Sequence, residues 1–279
     1  MADFISDDGR IHIRSKLMRE SLVDKRVLQT TFCRQEFKIL PDVIAVHLGG
    51  RSVFDRPVEV LKPLVKEIAE ARTDKRILMA VSGGQRARHT MAVALDLGLP
   101  VGGIAHLIGP MEGANALTLT ALLAKHGAIF VDREALWELP LFLETGMLPI
   151  VIGIPPYHFW EPPPGKNPVP THRSDFGIFE HAEVLGMKRV IYVRDVDGVY
   201  DKDPHRYDDA KLMPTMTLQQ ALESPPPTWP LDPMLFEAWQ TARHIEQIQI
   251  INGGRPGEFT KALGGETVGT VITREDSDE

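Results

Sequence analysis

The stretch VIAVHLGGRS, residues 43–52, combines the two features from which the fold can be predicted. Its first six residues are apolar and partly β-branched, apart from His47, and this is typical of a buried strand. The Gly49-Gly50 pair ends the run with a turn, where glycine lets backbone N–H groups approach an anion closely. The stretch therefore predicts a strand that carries an anion-binding turn to one edge of a sheet.

The same unit, a short apolar run followed by a helical segment, repeats along the chain. Further strands are predicted at residues 76–81, 128–131, 148–154, 189–194, 247–251 and 269–273. Helical spacing is found at residues 57–72, 86–98, 114–127, 175–186 and 232–246. Strands that alternate with helices of this length predict an α/β fold with a mainly parallel central sheet.

Composition narrows the class of protein. The chain has 279 residues, of which 43% are apolar and 25% charged, so we expect a soluble globular protein. No uninterrupted apolar run reaches the ~20 residues that span a bilayer, and the polar start does not resemble a signal peptide. Cys33 is the only cysteine, which excludes an intrachain disulfide and favours the cytoplasm. The net charge of −7 argues against nucleic acid as the main partner.

Two parts of the chain break the alternation. Residues 1–37 lack clear periodicity and are predicted to form an N-terminal arm, with a single domain at residues 38–279. Residues 155–174 and 224–233 are so rich in proline that neither can be a regular helix or strand. Both are predicted to be stiff loops.

The glycine pairs predict where an anion binds. Gly83-Gly84 follows the second strand as Gly49-Gly50 follows the first, and both lie at the carboxyl edge of the sheet, where ligands of such folds bind. The helix after Gly84 directs its N-terminus to the same place, and Arg86 lies just inside it. The alternative is that both pairs are tight turns with no ligand. No P-loop or Rossmann motif is present.

The segment RDVDGVYDKDP, residues 194–204, is the most specific local signal. Asp197-Gly198 is a turn after a strand, and Asp195, Asp201 and Asp203 crowd the same loop. Carboxylates and an aromatic ring at a strand end suit the ribose or base of a nucleotide, or Mg²⁺. The alternative is that aspartate and glycine simply make the turn.

Several segments together resemble a known family. DGVYDKDP, the two glycine pairs, RSDFG and GGETVGTVIT are similar to segments of the amino acid kinase superfamily, in which uridylate kinases carry them in the same order. VSGGQRARH, PPYHFW and TARHIEQIQIINGGRPG are closer to the molybdenum storage subunits, a branch of that superfamily. The likeness covers residues 38–273 approximately.

The resemblance implies a three-layer αβα sandwich that binds ATP with Mg²⁺. Storage subunits assemble into a cage, a trimer of dimers, in which molybdate or tungstate forms polyoxometalate clusters; we therefore expect a hexamer of one or two kinds of chain. His47 and Asp175 occupy the catalytic positions. The predicted nucleotide-binding residues are Gly49, Gly50, Arg51, Gly83, Gly84, Arg86, Asp195, Asp197, Gly198, Tyr200 and Asp203.

His47 departs from the family pattern, because the family has a lysine at this position. Histidine is shorter and mostly neutral at pH 7. Since phosphoryl transfer depends on positioned positive charge, we expect slow ATP hydrolysis, with Arg51 or Arg86 as partial substitutes. A lysine at position 47, or a pH low enough to protonate the ring, is expected to raise turnover. The alternative is a structural histidine at a strand end.

Two further histidines are candidate ligands of the metal-oxide clusters. His158 lies on the first proline-rich loop, and in the storage proteins the Tyr-His of this loop contacts a cluster. His172 precedes Asp175 and is expected to flank the same region. The alternative is that His158 and its aromatic neighbours form a packing or subunit-contact loop.

Three functions stay open at this point. The chain is expected to be a storage subunit that binds ATP and encloses oxide clusters. A second possibility is a uridylate kinase or another phosphotransferase of the superfamily, and a third is a non-catalytic partner subunit of a storage cage.

Overall fold

The structure is a computed structural model that describes residues 4–5, 12–13, 37–155, 173–204 and 206–274. Its contacts separate residues 1–37 from residues 38–279. In the first unit, the strands β1 (Phe4–Ile5) and β2 (His12–Ile13) pair with each other in antiparallel orientation. The second unit holds all other described elements.

An eight-stranded sheet forms the centre of the second unit. In sheet order its strands are β10 (Thr215–Thr217), β12 (Thr270–Thr273), β11 (Gln247–Asn252), β7 (Arg189–Arg194), β3 (Ile44–Leu48), β4 (Ile77–Val81), β6 (Leu148–Ile152) and β5 (Ala128–Phe130). Only β11 and β12 are antiparallel neighbours. A separate hairpin pairs β8 (Val199–Tyr200) with β9 (Leu212–Met213). The mainly parallel sheet is therefore confirmed.

Helices cover both faces of this sheet. They are α1 (Val58–Ala71), α2 (Gly84–Asp96), α3 (Val101–Leu123), α4 (Leu139–Glu144), α5 (Ser174–Leu185), α6 (Leu218–Glu223), α7 (Met234–Trp239) and α8 (Glu258–Gly264). Successive residues of β4 belong to opposite cores: Leu78 packs in one apolar cluster with Trp239, and Met79 in the other with Leu119. Because side chains alternate along a strand, two buried faces require a helix layer on each side. The three-layer αβα sandwich is confirmed.

Helix α3 is longer than its sequence pattern predicts. It begins at Val101 rather than near residue 114, and it includes Pro110 and several glycines, which are poor helix formers. Its stability comes from packing, because Ile104, Ala105 and Ile108 are buried against the sheet. The local sequence pattern therefore underestimated the length of the helix.

Helix α7 is shorter than predicted, since it ends at Trp239 instead of continuing to residue 246. The chain turns there because the Glu183 carboxylate accepts hydrogen bonds from the backbone N–H groups of Arg243, His244 and Ile245, at 2.5 to 3.2 Å. The indole of Trp239 also donates to the Ile245 carbonyl at 2.8 Å. The Glu183 carboxylate, which lies on α5, thus supplies the hydrogen-bond acceptors that backbone carbonyls would have supplied in a continued helix.

One helical stretch in the described part of the chain, Val101–His126, is long and apolar enough to cross a membrane, judged by length and composition alone. In this fold it packs against α2, β5 and β6. A long apolar helix with such partners is equally typical of a protein core, so the stretch is weak evidence for a membrane span.

Candidate functional site

A cavity of about 780 Å³ opens at the carboxyl ends of β3, β4 and β7. This is the edge at which parallel α/β sheets bind ligands. Of the residues predicted from the sequence, those that line it are Gly49, Gly50, Arg51, Gly83, Gly84, Asp175, Asp195, Gly198, Tyr200 and Asp203. His47, Arg86 and Asp197 do not line it. The structure therefore brings most of the predicted nucleotide-binding residues to one place, while their binding role stays a prediction.

The two glycine turns of the cavity pack directly on each other. A Cβ added to Gly50 would lie 2.2 Å from the Gly84 backbone nitrogen, so no side chain fits there. After Gly50 the chain makes one π-helical turn, Gly50–Phe54, a feature that often marks functional sites. The Gly50 N–H donates to the Ser82 hydroxyl at 2.6 Å and ties β3 to β4. These glycines are thus required for packing, whether or not a ligand binds.

Asp55 occupies the N-terminus of α2. Its carboxylate accepts a hydrogen bond from the Gln85 N–H at 2.5 Å and would be 2.4 Å from a Cβ on Gly84, whose φ is +67°. A helix N-terminus attracts negative charge, and here a side chain of the protein supplies it. A phosphate that approached this N-terminus would therefore meet Asp55.

An ion pair between a buried arginine and a partly buried carboxylate lies at the back of the cavity. The Arg194 guanidinium, at the end of β7, contacts the Asp175 carboxylate in the first turn of α5 at 2.6 Å. Burial is the largest influence and raises the pKa of Asp175, but the charges of Arg194 and Arg173 and the hydrogen bond from Arg194 are among the influences that together outweigh it and hold that pKa below its usual value. The Tyr192 hydroxyl also donates to the Asp175 carbonyl at 2.8 Å, which fixes the start of α5 against β7.

His47 lies beneath the cavity and is fully buried. Its Nδ1 is 3.1 Å from Arg194 Nη1 and 3.4 Å from Asp175 Oδ1. Burial and the charge of Arg194 lower the pKa of His47 to about 3, although Asp175 opposes the shift. The ring therefore stays neutral throughout the physiological range. This reverses the expectation that a modest fall in pH would make it cationic.

The aspartates of the 194–204 loop have different partners. Asp195 lines the cavity and accepts hydrogen bonds from Ser52, at 2.9 Å, and from Arg56. Burial opposes its ionisation, but these two donors prevail and hold its pKa below the usual value. Asp197 instead turns away to Asn252, at 2.7 Å, and Arg255. Only the first of the two carboxylates is placed to meet a ligand.

Arg86, the arginine of α2 that the sequence predicted at the ligand, does not line the cavity, whereas Arg88 does. Arg86 donates to the Asn115 side chain, whose amide donates to the Ser82 carbonyl at 2.7 Å, so it braces the second glycine turn from outside. Arg88, two residues further along α2, lines the cavity. The cation that α2 offers to a ligand is therefore Arg88.

Glu112 is a buried carboxyl group in the cavity wall. Only 2% of the residue is exposed, and its Oε2 accepts a hydrogen bond from the Ile154 N–H at 2.8 Å. Burial raises the pKa of Glu112 to about 7, against the hydrogen bonds that favour its charged form. The charge of Asp175 nearby acts in the same direction as burial.

The candidate cluster ligands His158 and His172 lie outside the described residues. Among the residues that the structure does describe, no group of three or more His, Cys, Asp or Glu side chains could hold a metal ion by itself. The proposed metal-binding role of the two histidines stays a prediction.

Sequence reasoning missed Arg194 and Glu112 as site residues, although each left a signal. Arg194 is a cation at the carboxyl end of β7, directly after the apolar and aromatic run at residues 190–193. Glu112 is the only charged residue between Val101 and Leu123. A lone charge in an apolar segment needs a buried partner or a function.

Comparison with known proteins places this geometry in a family. The profile of the amino acid kinase family matches residues 42–252. The chain belongs to this family. It is 37% identical over 257 residues to the molybdenum storage protein subunit beta of Azotobacter vinelandii, covering 92% of this chain and 95% of that protein. The resemblance inferred from the sequence motifs is confirmed.

Solved structures agree on the fold. The uridylate kinase of Archaeoglobus fulgidus superposes with a TM-score of 0.63 at 23% identity, covering 82% of this chain and 99% of that one. The UMP kinase of Ureaplasma parvum superposes with a TM-score of 0.67 at 15% identity, covering 84% and 99%. At these identities the likeness shows a shared fold.

Replacement of Glu112 by glutamine should change how stability depends on pH. A carboxyl group whose pKa is raised on folding costs stability as pH rises from its unfolded value, near 4.5, to its folded value, near 7. Glutamine keeps the acceptor for Ile154 and has no charge. We expect Glu112→Gln to match the wild type near pH 4.5 and to exceed its free energy of unfolding by about 3 kcal/mol at pH 8.

Urea unfolding from pH 4.5 to pH 8 measures this difference, with the exposed Glu70→Gln as the control. His47 contributes a pH dependence of opposite sign below pH 6.5, but it is common to all three proteins and cancels in the comparison. A wild-type chain and a Glu112→Gln variant whose curves stay parallel would show that Glu112 does not titrate in this range.

Proposed function

We propose that this chain is a molybdenum or tungsten storage subunit that binds ATP with Mg²⁺ in the described cavity. In this proposal it helps to enclose polyoxometalate clusters formed from molybdate or tungstate in a cytoplasmic, hexameric cage. The observation that carries the proposal is the likeness to a storage subunit along nearly the whole of both chains. The cavity supports the nucleotide part.

The cavity suits a nucleotide in size and in charge. Its volume of about 780 Å³ lies within the range of small-molecule sites. Arg51, in the turn after β3, and Arg88, in the first turns of α2, border one side of the cavity, and Tyr200 of the 194–204 segment borders it elsewhere. The two arginines suit the phosphates of a nucleotide, while the ring of Tyr200 suits its ribose and base. Asp55 would have to leave the α2 N-terminus if a phosphate bound there.

Mg²⁺ fits this site as an ion carried by the nucleotide. Asp175 and Asp195 line the cavity as ionised carboxylates, and Mg²⁺ is commonly held by one or two carboxylates together with phosphate oxygens. Neither is free of protein partners, so a dedicated ion cage is not formed by the described residues. When bound, Mg²⁺ would neutralise charge on the β- and γ-phosphates.

A uridylate kinase is the second candidate, because the fold is shared with the uridylate and UMP kinases above. His47 argues against efficient phosphoryl transfer, since a buried neutral ring occupies the position of the family's lysine. A chain that assembles with a catalytic paralogue in a mixed cage is compatible with the same feature.

The storage function predicts tightly held metal. Protein purified from molybdate-fed cells should retain many molybdenum atoms per chain after gel filtration at the elution volume of a hexamer. A coupled assay with ATP and UMP should show no transfer to UMP. Efficient UMP phosphorylation by a chain that holds no molybdenum would replace the storage proposal by the kinase one.

The nucleotide site predicts different effects for two neighbouring arginines. Arg88→Gln removes a cation from the cavity wall and should weaken ATP–Mg²⁺ binding by roughly tenfold, the effect of one charge-assisted hydrogen bond. Arg86→Gln removes a cation from the same helix but outside the cavity, and should change the affinity much less. Isothermal titration calorimetry measures both. The reverse order would restore the original sequence-based assignment to Arg86.

A further inference from the structure

Arg194 is unlike the other arginines of the cavity. Four arginines line it among the described residues: Arg51, Arg88, Arg173 and Arg194. The first three are exposed, whereas Arg194 is 6% exposed. A cation is buried at a large desolvation cost unless it is fully partnered, so its surroundings are informative about its purpose.

The guanidinium of Arg194 is clamped on three sides. Its Nε donates to the Pro230 carbonyl at 3.0 Å, and its Nη2 to Asp175 at 2.6 Å. Its Nη1 donates to the Val193 carbonyl and to His47 Nδ1, both at 3.1 Å. An arginine has five N–H donors, and these contacts use four of them. The fifth, on Nη2, has no partner among the described residues and belongs to a side chain that lines the cavity.

The contact with His47 assigns a role to the histidine. An arginine can only donate hydrogen bonds, so His47 Nδ1 must accept, and the ring is therefore neutral with its proton on Nε2. Nε2 is buried and has no hydrogen-bond partner among the described residues. A neutral acceptor at this point holds the guanidinium, while a cation would repel it from 3.1 Å.

We propose that Arg194 is the residue that presents positive charge to the anionic part of the ligand, and that His47 is a positioning residue that fixes its guanidinium. In this arrangement, and within the part of the chain that the structure describes, the Arg194 guanidinium is the one positive charge between the ends of β3 and β7, because the His47 ring is neutral. The ligand class is a phosphate or another tetrahedral oxyanion, which a guanidinium binds by directed hydrogen bonds. This inference rests on the proposed function for the identity of the ligand, ATP.

The proposal reverses the result expected for a lysine at position 47. The sequence alone suggested that His47→Lys supplies a missing cation. With Arg194 in place, His47→Lys would bury a second positive charge beside the first, with only Asp175 to balance both. It should therefore displace Arg194, destabilise the fold and weaken anion binding.

A double-mutant cycle tests the single-cation arrangement. The variants are His47→Lys, Arg194→Met and the combination of both, with Arg76→Met as a control for the loss of an arginine that pairs with Glu144 on the surface. Each single variant should lower the unfolding midpoint of the unliganded protein and weaken ATP–Mg²⁺ binding on the order of 10- to 100-fold. The double variant should recover part of both losses, because the lysine then pairs with Asp175.

A second pair of variants separates positioning from packing. His47→Gln offers an oxygen that can accept from Arg194, whereas His47→Leu fills similar space without an acceptor. The glutamine variant should bind ATP more tightly than the leucine variant. Equal affinities for these two would overturn the positioning role.

The binding measurements and the unfolding measurements test different claims. If the wild-type chain binds no ATP, the proposed function is wrong, and the arrangement is then judged on unfolding midpoints alone. A double variant no more stable than the worse single variant, or a His47→Lys chain as stable as the wild type and with at least its affinity for ATP, would overturn the inference.

Discussion

The ion pair between the buried Arg194 and Asp175 is the interaction on which the site depends. It joins the end of β7 to the first turn of α5, and the same guanidinium reaches His47 on β3. The Asp232 N–H donates to the second oxygen of Asp175, at 3.2 Å, and draws in the loop that precedes α7. Removal of Asp175 would leave the buried Arg194 guanidinium without its charged partner, a change that typically costs 3–5 kcal/mol or so. The same contacts therefore hold the fold together and position the charged groups that face the cavity.

A second constraint is the close approach of the two glycine turns. The turns after β3 and β4 pack so closely that no Cβ fits at Gly50, and the hydrogen bond between Arg86 and Asn115 supports the second turn. This packing places the N-terminus of α2 at the mouth of the cavity. The Asp55 carboxylate accepts a hydrogen bond from this N-terminus. The next residue, Arg56, donates to Asp195 on the opposite side of the cavity. A ligand phosphate would compete with these internal contacts.

The sequence predicted the sheet and the glycine turns, and most of the nucleotide-binding residues that it predicted line the cavity, because these features follow from local patterns. Alternating apolar runs and helical segments determine the order of elements, and carboxyl ends of parallel strands meet at one edge. It did not predict the start of α3 or the end of α7, because burial and the distant carboxylate of Glu183 decide them. The roles of Arg88, Arg194 and Glu112 also depend on contacts between segments far apart in the chain.

The local geometry changes the interpretation of His47. The family position holds a neutral ring, and a cation from the neighbouring strand lies beside it. The site retains its positive charge, but that charge comes from β7 rather than β3. The chain thus combines an amino acid kinase fold with a buried, neutral ring at the position where the sequence resemblance implies a positively charged lysine.

The protonation state of His47 tests this account most directly. Nuclear magnetic resonance of protein labelled with ¹⁵N-histidine, with the His47 signals assigned from their loss in His47→Gln, reports both the charge and the tautomer of the ring. The account predicts a neutral ring with its proton on Nε2 from pH 8 down to pH 5, because burial and Arg194 lower its pKa to about 3. A ring that titrates near the usual value of 6.5, or one with its proton on Nδ1, would contradict it.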